Sequence, residues 1–195
     1  MSVDTKLTGV AGEHHVCSIL ARYLWAPSLT RDGLERTDIL EVHSQTRRMI
    51  ELQVKTLRGP GRWPLGRKGT RPAIEDHEWY VMVRLPPPPG EPECYVIPRD
   101  YVAAATWIAH MNWLTSPDVP PGVRNATIES ARVGGEVWER YRDRWDDLQK
   151  PTTDLPVLLP PWMRAAMREE RVGLPDDHPW RDAEAIPDWP DPALP

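Results

Sequence analysis

Residues 47–57, RRMIELQVKTL, alternate in the way that predicts a β-strand. Successive side chains of a strand point to opposite faces, so this segment has one apolar and one polar face. The apolar face consists of Ile50, Leu52, Val54 and Thr56, and the polar face of Met49, Glu51, Gln53 and Lys55. A half-buried strand needs partners for three polar groups in a row, because unpaired polar groups are costly to desolvate. The polar face is therefore either a solvated outer face or a functional site.

A second strand precedes this one and forms a hairpin with it. Residues 37–42, TDILEV, predict a short strand, and the polar residues 43–46 predict the turn that joins the two strands. In such a hairpin Asp38 lies near Gln53 and Lys55, so three groups with functional chemistry are expected to meet.

An amphipathic helix is predicted further upstream, over residues 10–25. Its apolar stripe consists of Val16, Cys17, Leu20 and Leu24. Glu13 falls on the same stripe, one turn before Val16. A carboxylate that faces a core needs a partner, and a metal ion or a lysine would serve.

The succession of a helical Glu13, Asp38 in a hairpin, and Gln53-Val54-Lys55 resembles the PD-(D/E)xK nuclease superfamily. There, an N-terminal helix packs on a hairpin that carries a metal-binding acid and an E-x-K strand. Thr37-Asp38 stands where Pro-Asp is usual. Gln53 stands where Asp or Glu is usual, which resembles the Q-x-K branch of Mrr-like restriction enzymes, and Glu13 resembles the helical glutamate of archaeal Holliday-junction resolvases. The resemblance covers the first half of the chain, and the second half only in its strand-then-helix order.

The resemblance implies a catalytic group of Glu13, Asp38, Gln53 and Lys55, and a Mg²⁺ or Mn²⁺ cofactor. Asp38 would bind the ion together with the side-chain carbonyl of Gln53 and the backbone carbonyl of Val54, and Glu13 would act through water or on a second ion. Lys55 would orient or deprotonate the attacking water.

Two functions from different classes follow from this resemblance. One is a metal-dependent DNA endonuclease that hydrolyses phosphodiester bonds in restriction, defence or repair. The other is a nuclease-fold protein that has lost catalysis and binds DNA or another protein. Gln53 separates the two, because its neutral amide leaves the site one negative charge short.

The net charge of −5 is concentrated at one end of the chain. Residues 151–195 contain nine acidic and four basic residues, so residues 1–150 are neutral overall. Within residues 55–72 there are six basic residues and no acidic one: Lys55, Arg58, Arg62, Arg67, Lys68 and Arg71. A basic run beside a carboxylate site suits phosphate-backbone contact, so we predict that the five arginine and lysine residues after Lys55 bind DNA. A solvated loop without a partner is the alternative.

The rest of the chain completes the fold prediction. Glycine and proline in residues 59–72 predict an irregular, flexible loop. Strands are predicted at residues 78–85 and 94–97 and within 125–133, and helices at 101–114 and 135–148. The expected fold is α/β, a restriction-endonuclease-like domain over residues 1–150 with a mixed central sheet flanked by helices.

Residues 151–195 contain ten prolines and three tryptophans. Proline at this density is incompatible with an independent core, whereas tryptophan has much apolar area to bury. We predict a proline-rich acidic arm with a short helix over residues 163–172. The arm packs either on its own domain or on a partner subunit, so a homodimer stays open.

The chain has no apolar run of about 18 residues, so no membrane span is expected. The N-terminus lacks the apolar segment of a secretion signal. Cys17 and Cys94 are far apart in sequence and are expected to be reduced thiols, which favours a cytoplasmic protein.

Overall fold

The computed structural model describes residues 4–30, 36–120 and 122–190. Its α-helices and β-strands are, in chain order, α1 (Thr5–Arg22), β1 (Trp25–Leu29), β2 (Ile39–His43), β3 (Met49–Arg58), β4 (Arg62–Pro64), β5 (Glu78–Leu85), β6 (Glu93–Pro98), α2 (Arg99–Leu114), β7 (Arg132–Gly134) and α3 (Pro161–Met167). Short 3₁₀ turns connect several of these elements.

The chain forms two compact units. The first comprises Met1–Gly61, Ile74–Pro98 and Tyr141–Thr153, and the second comprises Arg62–Ala73, Arg99–Arg140 and Asp154–Pro195. The sequence-based boundary at residue 150 lies close to the unit boundary after Thr153. In the structure, however, the residues that follow this boundary share a unit with two earlier stretches of the chain.

The first unit contains a five-stranded sheet with the strand order β1-β2-β3-β5-β6. β3 and β5 are parallel, whereas the other neighbouring pairs are antiparallel. The α/β class and the mixed sheet are thus confirmed, and the predicted strands at 37–42, 47–57, 78–85 and 94–97 all lie in this sheet.

Helix α1 packs on the apolar face of β3. Its buried residues are Thr8, Gly12, Val16 and Leu20, at the spacing of one helix face. Gly12 is required there, since a Cβ atom at this position would lie 1.9 Å from Thr56 Oγ1. The small residues in the first half of the helix let its backbone approach the sheet closely.

The predicted bounds of this helix are wrong at both ends. The side chain of Asp4 caps the helix by accepting hydrogen bonds from the amides of Lys6 and Leu7. At the other end, Leu24 has a φ of 64°, and Trp25 opens β1 with its side chain buried against His43. The apolar stripe does not include Leu24, which is exposed.

Two further predictions of local structure are wrong. Residues 59–72 are not irregular throughout, because β4 pairs with β7 and places Trp63 in a buried position opposite Val133. Residues 135–148 form separate 3₁₀ turns instead of one helix, and the φ of 52° at Asp143 interrupts them. Their apolar side chains are nevertheless buried, as the periodicity indicated: Val137, Trp138, Tyr141, Trp145 and Leu148.

The second unit combines α2, α3, the β4–β7 pair and the C-terminal residues. Trp180 packs against Tyr101 of α2 and against Trp189, with ring centroids 5.2 and 5.8 Å apart. Trp189 donates a hydrogen bond from Nε1 to the Leu159 carbonyl. These contacts bury two of the three C-terminal tryptophans within the unit, while Trp162 stays exposed. Residues 191–195 of the predicted arm lie outside the described residues.

Within the described parts of the chain, no helix is both long and apolar enough to cross a membrane.

Candidate active site

The candidate site lies where the pairing of β2 with β3 stops. The last paired residues are Ile39 and Leu52, whereas β3 continues to Arg58. The amide of Asp38 still donates to the Leu52 carbonyl, at 2.8 Å. Beyond this point the amide of Val54 donates to Asp38 Oδ2 at 2.7 Å, so a side-chain carboxylate replaces the missing strand.

Gln53 contacts Asp38, as the hairpin predicted from the sequence requires. Its Nε2 donates to the same Oδ2 atom of Asp38 at 2.5 Å, and the residue is only 8% exposed. The amide nitrogen of Gln53, and not its carbonyl oxygen, therefore faces Asp38. One carboxylate oxygen therefore serves two donors.

Three oxygen donors are available at this end of β3. In an antiparallel ladder one residue directs its N–H and C=O groups to the same side, so the Val54 carbonyl faces the edge at which its amide meets Asp38. A half-turn of the Gln53 amide would present its Oε1 atom as well. One carboxylate with neutral oxygens fits Mg²⁺, which keeps several waters and uses one or two carboxylates.

Lys55 follows Gln53 on the same face of β3. Residues two apart on a strand are about 6–7 Å apart, which brings Lys55 next to the Asp38–Gln53 pair. Its side chain is half-buried, and its neighbour in the parallel ladder is Met82. The hairpin thus brings Asp38 and Gln53 into contact, and the approach of the Lys55 ammonium to this pair stays a prediction.

Glu13 lies on α1, which covers the opposite face of β3. It follows Gly12, the residue that meets Thr56, and it is half-buried. Burial raises the pKa of Cys17, one helical turn further on, and the charge of Glu13 adds to that rise. Gln53 and Lys55 lie on the other face of β3, so an approach of the Glu13 carboxylate to Asp38 at the strand edge stays a prediction.

Among residues 4–30, 36–120 and 122–190, no three His, Cys, Asp or Glu side chains are grouped so as to hold a metal ion. The oxygen set at Asp38 has one carboxylate, and its other members are an amide and a backbone carbonyl. A metal ion at Asp38 would therefore need neutral oxygen donors in addition to this one carboxylate.

The sequence did not single out the polar contacts that flank Asp38. Thr37 Oγ1 donates to Glu51 Oε2 at 2.6 Å, and Glu51 Oε1 lies 3.7 Å from His77 Nε2. His77 Nδ1 in turn lies 3.6 Å from Asp76 Oδ1. Two patterns could have revealed these contacts: Glu51 shares a face with Gln53, and residues 76–77 immediately precede a strand that is parallel to β3.

Glu41 is a buried carboxylate whose burial the sequence did not indicate. It is paired with Ile50, so its side chain lies on the face of the sheet that α1 covers. It is 1% exposed, and neither carboxylate oxygen has a hydrogen-bond partner among the described residues. Burial raises its pKa to about 8. The pKa of Cys17 rises to about 11, chiefly by burial and then by the charges of Glu41 and Glu13.

The predicted DNA-binding residues are divided between the two units. Arg58, in the first unit, donates from Nε to Thr8 Oγ1 of α1 at 2.9 Å. In the second unit, Arg67 forms a 2.6 Å ion pair with Glu129, and its hydrogen bond lowers the pKa of that carboxyl. Arg62 and Lys68 are exposed and Arg71 is half-buried. Contact of these side chains with DNA stays a prediction.

A scan against protein-family models, a search of curated proteins and a search of solved structures each found no match for this chain.

Proposed function

We propose that the chain is a metal-dependent DNA endonuclease with a restriction-endonuclease-like sheet, of the Q-x-K branch of the PD-(D/E)xK superfamily. The observation that carries the proposal is the contact of Asp38 with Gln53 and with the Val54 amide, where the β2–β3 pairing ends. The order of elements supports it, since an N-terminal helix packs on the hairpin that carries these residues.

Residues of β3, the segment before β2 and α1 would have separate roles in catalysis. Asp38, the Val54 carbonyl and a rotated Gln53 amide would hold Mg²⁺ or Mn²⁺, and Glu13 would contribute through water. The bound ion would supply charge neutralisation at the scissile phosphate and an activated water. Lys55 would orient that water and donate a hydrogen bond from Nζ to the phosphate. The predicted phosphate contacts along the DNA backbone are Arg58, Arg62, Arg67, Lys68 and Arg71.

A second candidate function is a DNA-binding or protein-interaction module without catalysis. The hydrogen bonds of Asp38 favour it, because Gln53 and Val54 satisfy the carboxylate oxygen without an ion. A glutamate at position 53 would instead repel Asp38 and create a demand for a cation. The two functions differ in whether a metal ion displaces the Gln53 amide.

Cleavage across a magnesium titration tests the proposal. The substrates are supercoiled, linear, branched and single-stranded DNA, and the proteins are the native chain, Asp38→Ala, Lys55→Ala and Gln53→Glu. We expect magnesium-dependent nicking by the native chain and a loss of about 100-fold or more in the first two variants. Gln53→Glu should cleave at lower magnesium concentrations, because it adds a charged ligand.

Lys6→Ala is the control for Lys55→Ala, since Lys6 is an exposed lysine on α1 and should be dispensable for cleavage. Inert native and Gln53→Glu proteins, together with DNA retention that weakens as salt rises, would favour the binding module.

A further inference from the structure

The residue before Asp38 leaves the path that β2 would follow. Continuing the register in which Ile39 faces Leu52 would place Thr37 opposite Val54. The hydroxyl of Thr37 instead reaches Glu51 Oε2, at 2.6 Å. Thr37 is 6% exposed and the Glu51 side chain is 31% exposed, so this is a partly buried hydrogen bond to a carboxyl group.

The divergence of this segment from β3 creates the edge at which Asp38 acts. In a regular strand, Thr37 and Asp38 would point to opposite faces. Here the Thr37 hydroxyl and the Asp38 carboxylate reach Glu51 and Gln53, which share one face of β3. The backbone therefore turns at this point, and Val54 is left with a carboxylate in place of a strand partner.

On its other side, Glu51 lies next to the start of β5. The Glu51 amide donates to the His77 carbonyl at 2.9 Å, and the His77 ring lies 3.7 Å from Glu51 Oε1. Next to it, Glu78 accepts from Arg36 at 2.9 Å. Residues 36 and 37 are thus both tied to acidic side chains of the sheet.

The Asp38 backbone is fixed independently of these side chains. Its amide donates to Leu52, and its carbonyl accepts from the Thr30 amide at 2.9 Å. The Thr30 hydroxyl donates to the Thr37 carbonyl at 2.6 Å. These bonds fix the backbone of Asp38 and the carbonyl of Thr37, and the bond from Thr37 to Glu51 fixes the Thr37 side chain on the face of β3 that carries Gln53.

We infer that Thr37 and Glu51 are positioning residues that hold the Asp38 carboxylate against Gln53 and Val54 at the open edge of β3. This inference rests on the proposed function, in which Asp38 binds the metal ion. Without the bond, the Thr37 side chain is released from the Gln53 face of β3, and the contact of the Asp38 carboxylate with the Val54 amide loosens although Thr30 still holds the backbone. The geometry also accounts for the contact of Thr37 with Glu51, which the proposed metal site does not use.

Hydrogen exchange and the chemical shift of the Val54 amide, measured by NMR, test the inference without any need for cleavage. In Thr37→Val we expect Val54 exchange to accelerate about tenfold, and the amide signal to lose the downfield shift of a carboxylate-bound N–H. Thr37→Ser keeps the hydroxyl and should restore both properties.

Thr106→Val is the control for lost stability. Its hydroxyl is also buried and donates to the Val102 carbonyl at 2.7 Å, but it belongs to the second unit. It should leave the Val54 signal unchanged. Glu51→Gln keeps the side-chain length with a weaker acceptor, so it should accelerate Val54 exchange in the same direction by a smaller factor. If Thr37→Val does not fold, Glu51→Gln is the variant that tests the inference.

An unchanged Val54 amide in Thr37→Val, or an equal change in Thr106→Val, would overturn the inference. Cleavage is assayed in parallel on the same proteins. A native chain that does not cleave, with a Val54 signal that responds to Thr37→Val as described, would reject the nuclease and leave the positioning pair standing.

Discussion

The two faces of the β2–β3 hairpin differ in whether a carboxylate on them has hydrogen-bond partners. Asp38, at the end of β2, receives hydrogen bonds from Gln53 and from the Val54 amide. Glu41, three residues later, lies under α1 and has no hydrogen-bond partner among the described residues. Both are acidic residues in one short segment, so their chemical type does not separate them. The difference lies in where the strand places them.

Strand parity links the two carboxylates. Residues an odd number apart on a strand point to opposite faces, so Asp38 and Glu41 cannot both face Gln53. A shift of one residue in register would move every side chain of β2 to the other face. Placing Asp38 against Gln53 therefore sends Glu41 into the core, and it leaves Leu40 39% exposed. The geometry of the site is obtained at a cost to the stability of the core.

The largest effect on stability is expected at Glu41. Its pKa is raised from 4.5 to about 8, so between these values the folded state holds a proton that the unfolded state has lost. Stability should fall by about 1.4 kcal/mol per pH unit as the pH rises through this window, and level off above it. Glu41→Leu should remove this dependence and raise the free energy of unfolding at pH 8 by ~3 kcal/mol.

Urea unfolding at pH 4, 6 and 8 measures this effect. Glu170→Leu, which replaces an exposed glutamate, is the control and should show the native pH dependence. An identical pH dependence in Glu41→Leu and the native chain would mean that Glu41 is not buried in neutral form, and the contrast between the two faces would fail.

An intermediate effect on stability is expected where α1 packs on the face of the hairpin that carries Glu41. In Gly12→Ala the new Cβ would lie 1.9 Å from Thr56 Oγ1 and 2.9 Å from Thr56 Cβ, so the helix must shift. We expect a loss of ~1–3 kcal/mol from overpacking. Gly9→Ala is the matched control, since the nearest atom is Glu13 Oε1 at 3.8 Å. That change should stabilise the helix by about 0.5–1 kcal/mol. Thermal unfolding that moves both variants in the same direction would contradict this packing.

The smallest effect is expected on the face that carries Asp38, and its sign should depend on metal. Without metal, Gln53→Glu replaces a donor with a second carboxylate beside Asp38 and should destabilise the fold by ~1 kcal/mol. Mn²⁺ should reverse this loss and stabilise the variant more than the native chain. Gln45→Glu, an exposed change in the hairpin turn, should respond to neither condition. Equal melting temperatures for all three proteins, with and without Mn²⁺, would argue against a cation site.

The hairpin and the Asp38–Gln53 contact could be predicted because alternation and order are local properties of the sequence. The burial of Glu41 could not, since the sequence ILEVH allows either parity and only the partner strand decides it. The contact of Thr37 with Glu51 depends on a turn of the backbone that no residue pattern marks. Residues 135–148 have helical periodicity, yet the left-handed Asp143 breaks them into turns. For Glu41 and Thr37, a contact with the partner strand overrides the local pattern.

A titration of Mn²⁺ into ¹⁵N-labelled protein tests the central claim most directly. The paramagnetic ion broadens the signals of nearby groups, so binding at Asp38 should first broaden the Val54 amide and the side-chain NH₂ of Gln53. Asp38→Asn should abolish that broadening, whereas Asp118→Asn, an exposed change outside the site, should not. Broadening confined to the acidic residues near the C-terminus, with Val54 and Gln53 unaffected, would contradict the assignment of a metal site to this strand edge.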